Sequence, residues 1–255
     1  MTFTIALAGK GGTGKTTVAA LLIRALTRRT SQPVLAIDAD PATNLHMALG
    51  LPMPATAGEI REEMLDTAQA GQLGVSISRQ DHLTREIRMA LEEGDQVDLL
   101  AMGRPEGQGC YCAVNHLMRQ IIDELGRKYE YVVIDNEAGM EHISRRTTKD
   151  VDLLLVVSDP SLRGLRTAAS IAEMSKEIEV NVRRALLVIN RVEGELTPEQ
   201  QAAIEATHLE VAALIPADPR VNQLDAQGQP LLQLDGDSAA CRAVESMTDQ
   251  FVHHS

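Results

Sequence analysis

The stretch GKGGTGKTT, Gly9 to Thr17, places one lysine and two threonines directly behind a run broken by four glycines. It satisfies G-x-x-x-x-G-K-[ST] and lies between an apolar run of strand length and a helix-like stretch, the context this pattern requires. Glycine lets the backbone curl so that the amides of Gly11, Gly12, Thr13, Gly14, Lys15, Thr16 and Thr17 can turn toward phosphate oxygens. The following helix adds the positive end of its dipole. The nucleotide is expected to be ATP or ADP; Lys15 is expected to bridge the β- and γ-phosphates when ATP is bound, and the Thr16 hydroxyl to ligate Mg²⁺.

Carboxylates follow at two strand ends. In IDADPATN (37–44), Asp38 and Asp40 are two residues apart and face one way if the backbone stays extended. One of them is placed to hold the water shell of Mg²⁺, the other to position an attacking water. In YVVIDNEAG (131–139), Asp135 closes an apolar strand where a carboxylate acting on Mg²⁺ through water is expected, and Glu137 reads equally as a catalytic or a plain loop residue.

Cys110 and Cys112, in GRPEGQGCYCAVN, bracket a single tyrosine. Two thiolates are half of what tetrahedral Zn²⁺ or thiolate-bound Ni²⁺ needs, and a two-fold axis through this segment would supply the other half. His116 reads as a solvent or capping side chain rather than a ligand, Cys241 as a small buried apolar group, and His253 and His254 as tail.

These residues need a scaffold, and the pattern predicts one. Apolar runs at 3–8, 33–38, 97–102, 131–135, 152–158, 184–190 and 210–216 alternate with amphipathic stretches at 15–29, 57–69, 82–93, 113–127, 162–178, 197–206 and 237–251. Several of the short runs are apolar at successive positions, as in strands buried on both faces. The expected fold is α/β: a doubly wound, mainly parallel sheet of seven to eight strands flanked by helices, the P-loop NTPase architecture, as one domain over residues 1–255. The polar stretch of roughly 50–95 reads as a mobile helical insertion rather than a recognition surface.

Composition narrows the partners. A formal charge of −12, from 24 basic and 36 acidic side chains, speaks against nucleic acid. Three cysteines cannot form a disulfide framework, no secretory pattern precedes the glycine loop, and no apolar run approaches a membrane span. A cytoplasmic protein without a membrane partner is expected.

The glycine loop with its second lysine, Lys10, resembles the deviant Walker A of the MinD, ParA and nitrogenase iron protein group of dimeric ATPases. The resemblance implies a homodimer in which Lys10 reaches the partner's nucleotide. It makes IDADPATN switch I, with Asp38 on the metal side and Asp40 activating water, and gives Gly139 a switch II amide for the γ-phosphate. It also places Asn190, Arg191, Pro216 and Asp218 at the adenine. The C-terminal CRAVESMTDQFVHHS lacks the basic amphipathic helix of MinD-like proteins, and DNEAGMEHISRR lacks the cysteine of the nitrogenase iron protein. GQGCYCAVN is similar instead to the CooC-type accessory ATPases that insert nickel into carbon monoxide dehydrogenase, and to relatives serving acetyl-CoA synthase. That resemblance implies a metallochaperone whose Cys110 and Cys112 hold Ni²⁺ or Zn²⁺ at a subunit interface. The alternatives are a positioning or partitioning ATPase with incidental cysteines, and an electron donor with an iron–sulfur cluster.

Overall fold

The computed structural model describes residues 2–69, 79–103, 120–137, 150–177 and 181–252. Eight strands form one sheet: β1 (Phe3–Gly9), β2 (Val34–Ala39), β3 (Glu92–Glu93), β4 (Val97–Ala101), β5 (Tyr131–Asn136), β6 (Asp150–Ser158), β7 (Asn181–Val192) and β8 (Glu210–Pro216). Their spatial order is β3-β4-β2-β5-β1-β6-β7-β8. All neighbours are parallel except β3, which pairs antiparallel with β4. Every residue of β2, β4 and β5 is buried, because helices cover both faces and leave no side for polar alternation.

The helices are α1 (Lys15–Thr27), α2 (Leu45–Leu49), α3 (Ala57–Gln69), α4 (Arg79–Met89), α5 (120–126), α6 (Leu162–Glu177), α7 (Pro198–Glu205), α8 (Pro219–Ala226) and α9 (Ala239–Val252). One core layer joins α1, α2 and α9 to the sheet face carrying Leu7, Ala36 and Val133. The other joins α3, α4, α5 and α6 to the face carrying Ala8, Ile37 and Ile134. Strand periodicity therefore decides which side each strand-end residue serves. Asp38 and Asp135 share the α1 face, and Asn136 points to the other.

All seven expected strands are present, and most expected helices match within two or three residues. The predicted helix 82–93 is shifted: α4 spans Arg79–Met89, and Glu92–Glu93 pairs as a strand. Two helices were not anticipated. α2 is a single short turn ended by Gly50 at φ +72°. α8 starts at Asp218-Pro219, where the Asp218 side chain accepts from the Arg220 amide and Pro219 occupies the first turn. No described helix is long and apolar enough to cross a membrane.

Candidate functional site

Parallel pairing brings the C-terminal ends of β1, β2, β5 and β7 together, where open α/β sheets bind ligands. Gly9 ends β1 so close to β6 that a Cβ there would collide with the Val157 carbonyl. The chain then turns back on itself. The Lys10 carbonyl accepts hydrogen bonds from Thr13 Oγ1 (2.9 Å) and Lys15 Nζ (3.4 Å), and Thr13 is fully buried beneath the turn. Gly12 and Gly14 have φ of +83° and +85°. A Cβ on Gly14 would also strike Asn190 Nδ2, so the loop needs glycine there twice over.

Asn190 and Arg191, at the end of β7, brace this loop from outside. Asn190 Nδ2 donates to the Thr13 carbonyl (2.9 Å), and its Oδ1 accepts from the Arg191 amide (3.0 Å). Arg191 sits at φ +59°, and its Nη1 donates to the Gly12 carbonyl (3.1 Å). Together with Gly11, Gly12, Gly14, Lys15, Thr16, Asp40 and Glu137, Arg191 lines an open cleft of about 360 Å³. A narrow recess of about 20 Å³ continues past Thr17 to Asn190, Pro216 and Asp218, and a broader one of about 370 Å³ opens between Thr16–Thr17, α2 and the end of α8.

The acidic wall is built by register. Asp38 of β2 and Asp135 of β5 are direct cross-strand partners, and both are almost fully buried. Asp135 Oδ2 accepts from Thr16 Oγ1 at 2.6 Å, whereas Asp135 Oδ1 has no partner among the described residues. Burial is the main cause that lifts the Asp135 carboxyl to about 7. The Thr16 hydrogen bond and Lys15 pull it down, and the neighbouring charges of Asp38 and Asp40 push it up. Burial likewise raises Asp38 to about 6, against hydrogen bonds from the Leu45 and Asp40 amides. Those bonds engage both Asp38 oxygens, Oδ1 with Asp40 N (3.1 Å) and Oδ2 with Leu45 N (2.9 Å), so its side chain shapes the loop leading into α2. Asp40 turns outward, and its Oδ1 accepts from the Ala42 amide.

This donor set suits Mg²⁺. It is all oxygen, with the Thr16 hydroxyl backed by the Asp135 carboxylate and Asp38 beside it on the neighbouring strand, and the buried Asp135 Oδ1 lacks a donor among the described residues. Among the described residues no group of three or more His, Cys, Asp or Glu side chains is arranged to hold a metal by itself.

At the recess, Asp218 proves to be a structural cap. Its oxygens accept from the Arg220 amide (3.0 Å), Ser238 Oγ (2.6 Å) and the Ala240 amide (3.4 Å). Burial would raise this carboxyl, but the hydrogen bonds from Ser238 and the two amides outweigh it and hold it below the usual range. Sequence reasoning missed Val221, Asn222 and Asp225, which line the same recess from α8. Their signal was the Asp-Pro helix start, which sets positions 221, 222 and 225 on one helical face. Cys241 is buried as expected, and burial pushes its thiol up. Gly139, Cys110, Cys112, His116, His253 and His254 lie outside the described residues.

Residues 4–231 match the profile of the CobQ/CobB/MinD/ParA nucleotide binding domain. The chain is 40% identical over 249 residues to an uncharacterized ATP-binding protein of Methanocaldococcus jannaschii, covering 98% of each. It is 32% identical to the carbon monoxide dehydrogenase accessory protein CooC of Rhodospirillum rubrum, covering 93% of this chain and 91% of that one. Among solved structures, the cell division ATPase MinD of Pyrococcus furiosus superposes with a TM-score of 0.70 at 23% identity over 100% of both chains. MinD of Pyrococcus horikoshii, complexed with Mg-ADP, gives 0.68 at 23% identity, covering 98% of this chain and 96% of that one. At these identities the structural likeness speaks for the fold.

Proposed function

The chain belongs to the CobQ/CobB/MinD/ParA nucleotide-binding family, and from that premise we propose that it is a dimeric, ATP-hydrolysing metallochaperone. Its cargo is Ni²⁺ or Zn²⁺ on Cys110 and Cys112, and its client is carbon monoxide dehydrogenase or a related nickel enzyme such as acetyl-CoA synthase. The observation that carries the metal reading is the Cys-x-Cys pair in a chain 32% identical to CooC over 93% of its length.

The nucleotide half has a division of labour that the cleft supports. The amides of residues 11–17 cradle the phosphates, and Lys15 exchanges its bond to the Lys10 carbonyl for phosphate oxygens. Thr16, backed by Asp135 and with Asp38 on the neighbouring strand, would hold Mg²⁺, which would offset negative charge on the phosphates. Asp40, on the cleft wall and not committed to a strand, orients the water that attacks the γ-phosphorus as the bond to the β-phosphate oxygen breaks, giving ADP and phosphate. Lys10 of the partner subunit adds positive charge beside the phosphate oxygens, whose negative charge it offsets in the transition state. Glu137 lines the same wall, and the Gly139 amide is assigned to the γ-phosphate. The adenine is assigned to the end of the cleft at Asn190, Arg191, Pro216 and Asp218, where the recess of about 20 Å³ has to widen to admit it. Since the Asp218 carboxylate and the Asn190 side chain are engaged within the protein, contacts there fall largely to the main chain.

Nickel and zinc binding with sizing tests this reading. Four thiolates from two chains predict one ion per two subunits, and Cys110→Ser or Cys112→Ser alone should abolish it, since symmetry removes two ligands at once. ATP binding should persist in both variants. One ion per monomer surviving in Cys112→Ser would overturn the shared site. Wild-type protein that dimerises with ATP but binds neither metal would favour the positioning or partitioning ATPase instead.

A further inference from the structure

Strand β7 is irregular where it reaches the cleft. Ile189 faces Leu214 of β8 and Val192 faces Pro216, so Asn190 and Arg191 together stand opposite Ile215 alone. An extra residue of this kind bends its strand and re-aims the side chains it carries. Arg191 takes the bend at φ +59°, a left-handed conformation that a residue other than glycine adopts at a cost. Asn190 holds the turn, its Oδ1 accepting from the Arg191 amide at 3.0 Å.

The bend lays Arg191 across the glycine loop. Its Nη1 donates to the Gly12 carbonyl at 3.1 Å, and a Cβ built on Gly14 would stand 3.6 Å from its Nη2. The same side chain lines two hollows, the phosphate cleft of about 360 Å³ and the base recess of about 20 Å³. Its guanidinium therefore stands at their boundary. A recess of that size has room for about one water. Leu21, Val221 and Ala240 in its walls belong to the core, and Asn190 and Asp218 are committed to hydrogen bonds within the protein. Arg191 is exposed, and its guanidinium can leave Gly12 without disturbing the core.

We propose that Arg191 is a gate on the base recess: bonded to the Gly12 carbonyl it keeps the recess shut, and the base of a nucleotide enters only when that bond is broken. Phosphates reach the open cleft directly, whereas a base attached to them has to pass the guanidinium. Association of the whole nucleotide is then slowed by the fraction of molecules in which the gate stands open. One exposed hydrogen bond of ordinary net strength makes that fraction small enough to slow entry about fivefold. The strained backbone at residue 191 is what puts the guanidinium there, since in a regular strand the side chain would stand on one face of the sheet. The inference rests on the reading that this cleft binds a nucleotide.

Stopped-flow fluorescence with the ribose-labelled N-methylanthraniloyl derivative of ADP and Mg²⁺, on the full chain, gives association and dissociation rates separately. High salt screens the attraction of the guanidinium for incoming phosphates, so that steering does not mask the gate. Arg191→Gly removes the side chain and suits the positive φ, so its thermal midpoint should equal or exceed that of the wild type. Arg191→Ala removes the same guanidinium and keeps a Cβ. In both variants the association rate constant should rise about fivefold. An association rate unchanged or lowered in both, with the effect confined to faster dissociation, would overturn the gate and leave Arg191 as a contact of the bound base. Failure of the nucleotide reading looks different: labelled ADP binds neither the wild type nor the variants, and the gate falls with it.

Discussion

Asp135→Asn isolates the most costly feature of the cleft. The Asp135 carboxyl is almost fully buried, and its folded pKa of about 7 stands against an ordinary 3.8. Because the folded value is raised, the native chain binds more protons than the unfolded chain between pH 4 and 7. The stability this contributes is complete below pH 4 and is lost as pH rises through 7. At about 1.4 kcal/mol per unit, the two units between pH 5 and 7 amount to roughly 3 kcal/mol for this one group. Asp38, raised to about 6, adds about half as much over the same interval. Asparagine keeps the shape, and its Oδ1 can still accept from Thr16, but it does not ionise. Urea denaturation at pH 5, 6, 7 and 8 without nucleotide, in a chelator, is the assay. The loss of unfolding free energy from pH 5 to 8 should be about 2–3 kcal/mol smaller in Asp135→Asn than in the wild type. The same variant should lose the enhancement of ADP binding by Mg²⁺. Equal pH slopes in the two proteins would refute the reasoning, since Asp135 would then ionise in the fold as it does in water.

Three further outcomes are expected. Lys15→Ala should abolish ATP hydrolysis and weaken nucleotide binding by at least about tenfold, as a charged phosphate contact is lost; equilibrium binding and phosphate release measure both. Asp40→Ala should lose hydrolysis yet retain ATP and accumulate as a nucleotide-bound dimer on sizing, the pattern of a contact that acts in the transition state. Gly14→Ala meets Asn190 Nδ2 at a positive φ, so it should lower the thermal midpoint by a cost of about 1–3 kcal/mol and weaken ADP binding, while Gly11→Ala, where a Cβ has open space, should leave the midpoint nearly unchanged.

The chemistry that the sequence announced most clearly is the chemistry that local rules dictate. GKGGTGKTT between an apolar run and a helix specifies its own backbone path, and the structure shows why. Gly9, Gly12 and Gly14 each sit where a side chain would collide or a positive φ is needed. The strands were equally legible, since β2, β4 and β5 are apolar at nearly every position. Strand pairing was not. That Asp38 faces Asp135 depends on β2 and β5 being neighbours in register, although nearly a hundred residues separate them in the chain. The two-residue strand β3 has no pattern of its own, and Glu92–Glu93 reads as the tail of a helix until β4 is placed beside it.

The base end of the cleft was harder for a different reason: the residues that suit a ligand also suit the local fold. Asp218 before Pro219 is a good partner for an adenine amino group and an equally good helix cap, and the structure uses it as the cap, with Ser238 and two amides on its oxygens. Asn190 could reach a base, but its amide group holds the Thr13 carbonyl and the Arg191 amide. A residue already committed in this way still serves binding, because it fixes the shape of what surrounds the ligand. Bracing at Thr13 and Gly12 holds the glycine loop in place. Asn190→Ala should therefore weaken ADP and inorganic phosphate binding by similar factors, since the damage is to the loop. A variant that lost ADP affinity while keeping phosphate affinity would put Asn190 at the base after all.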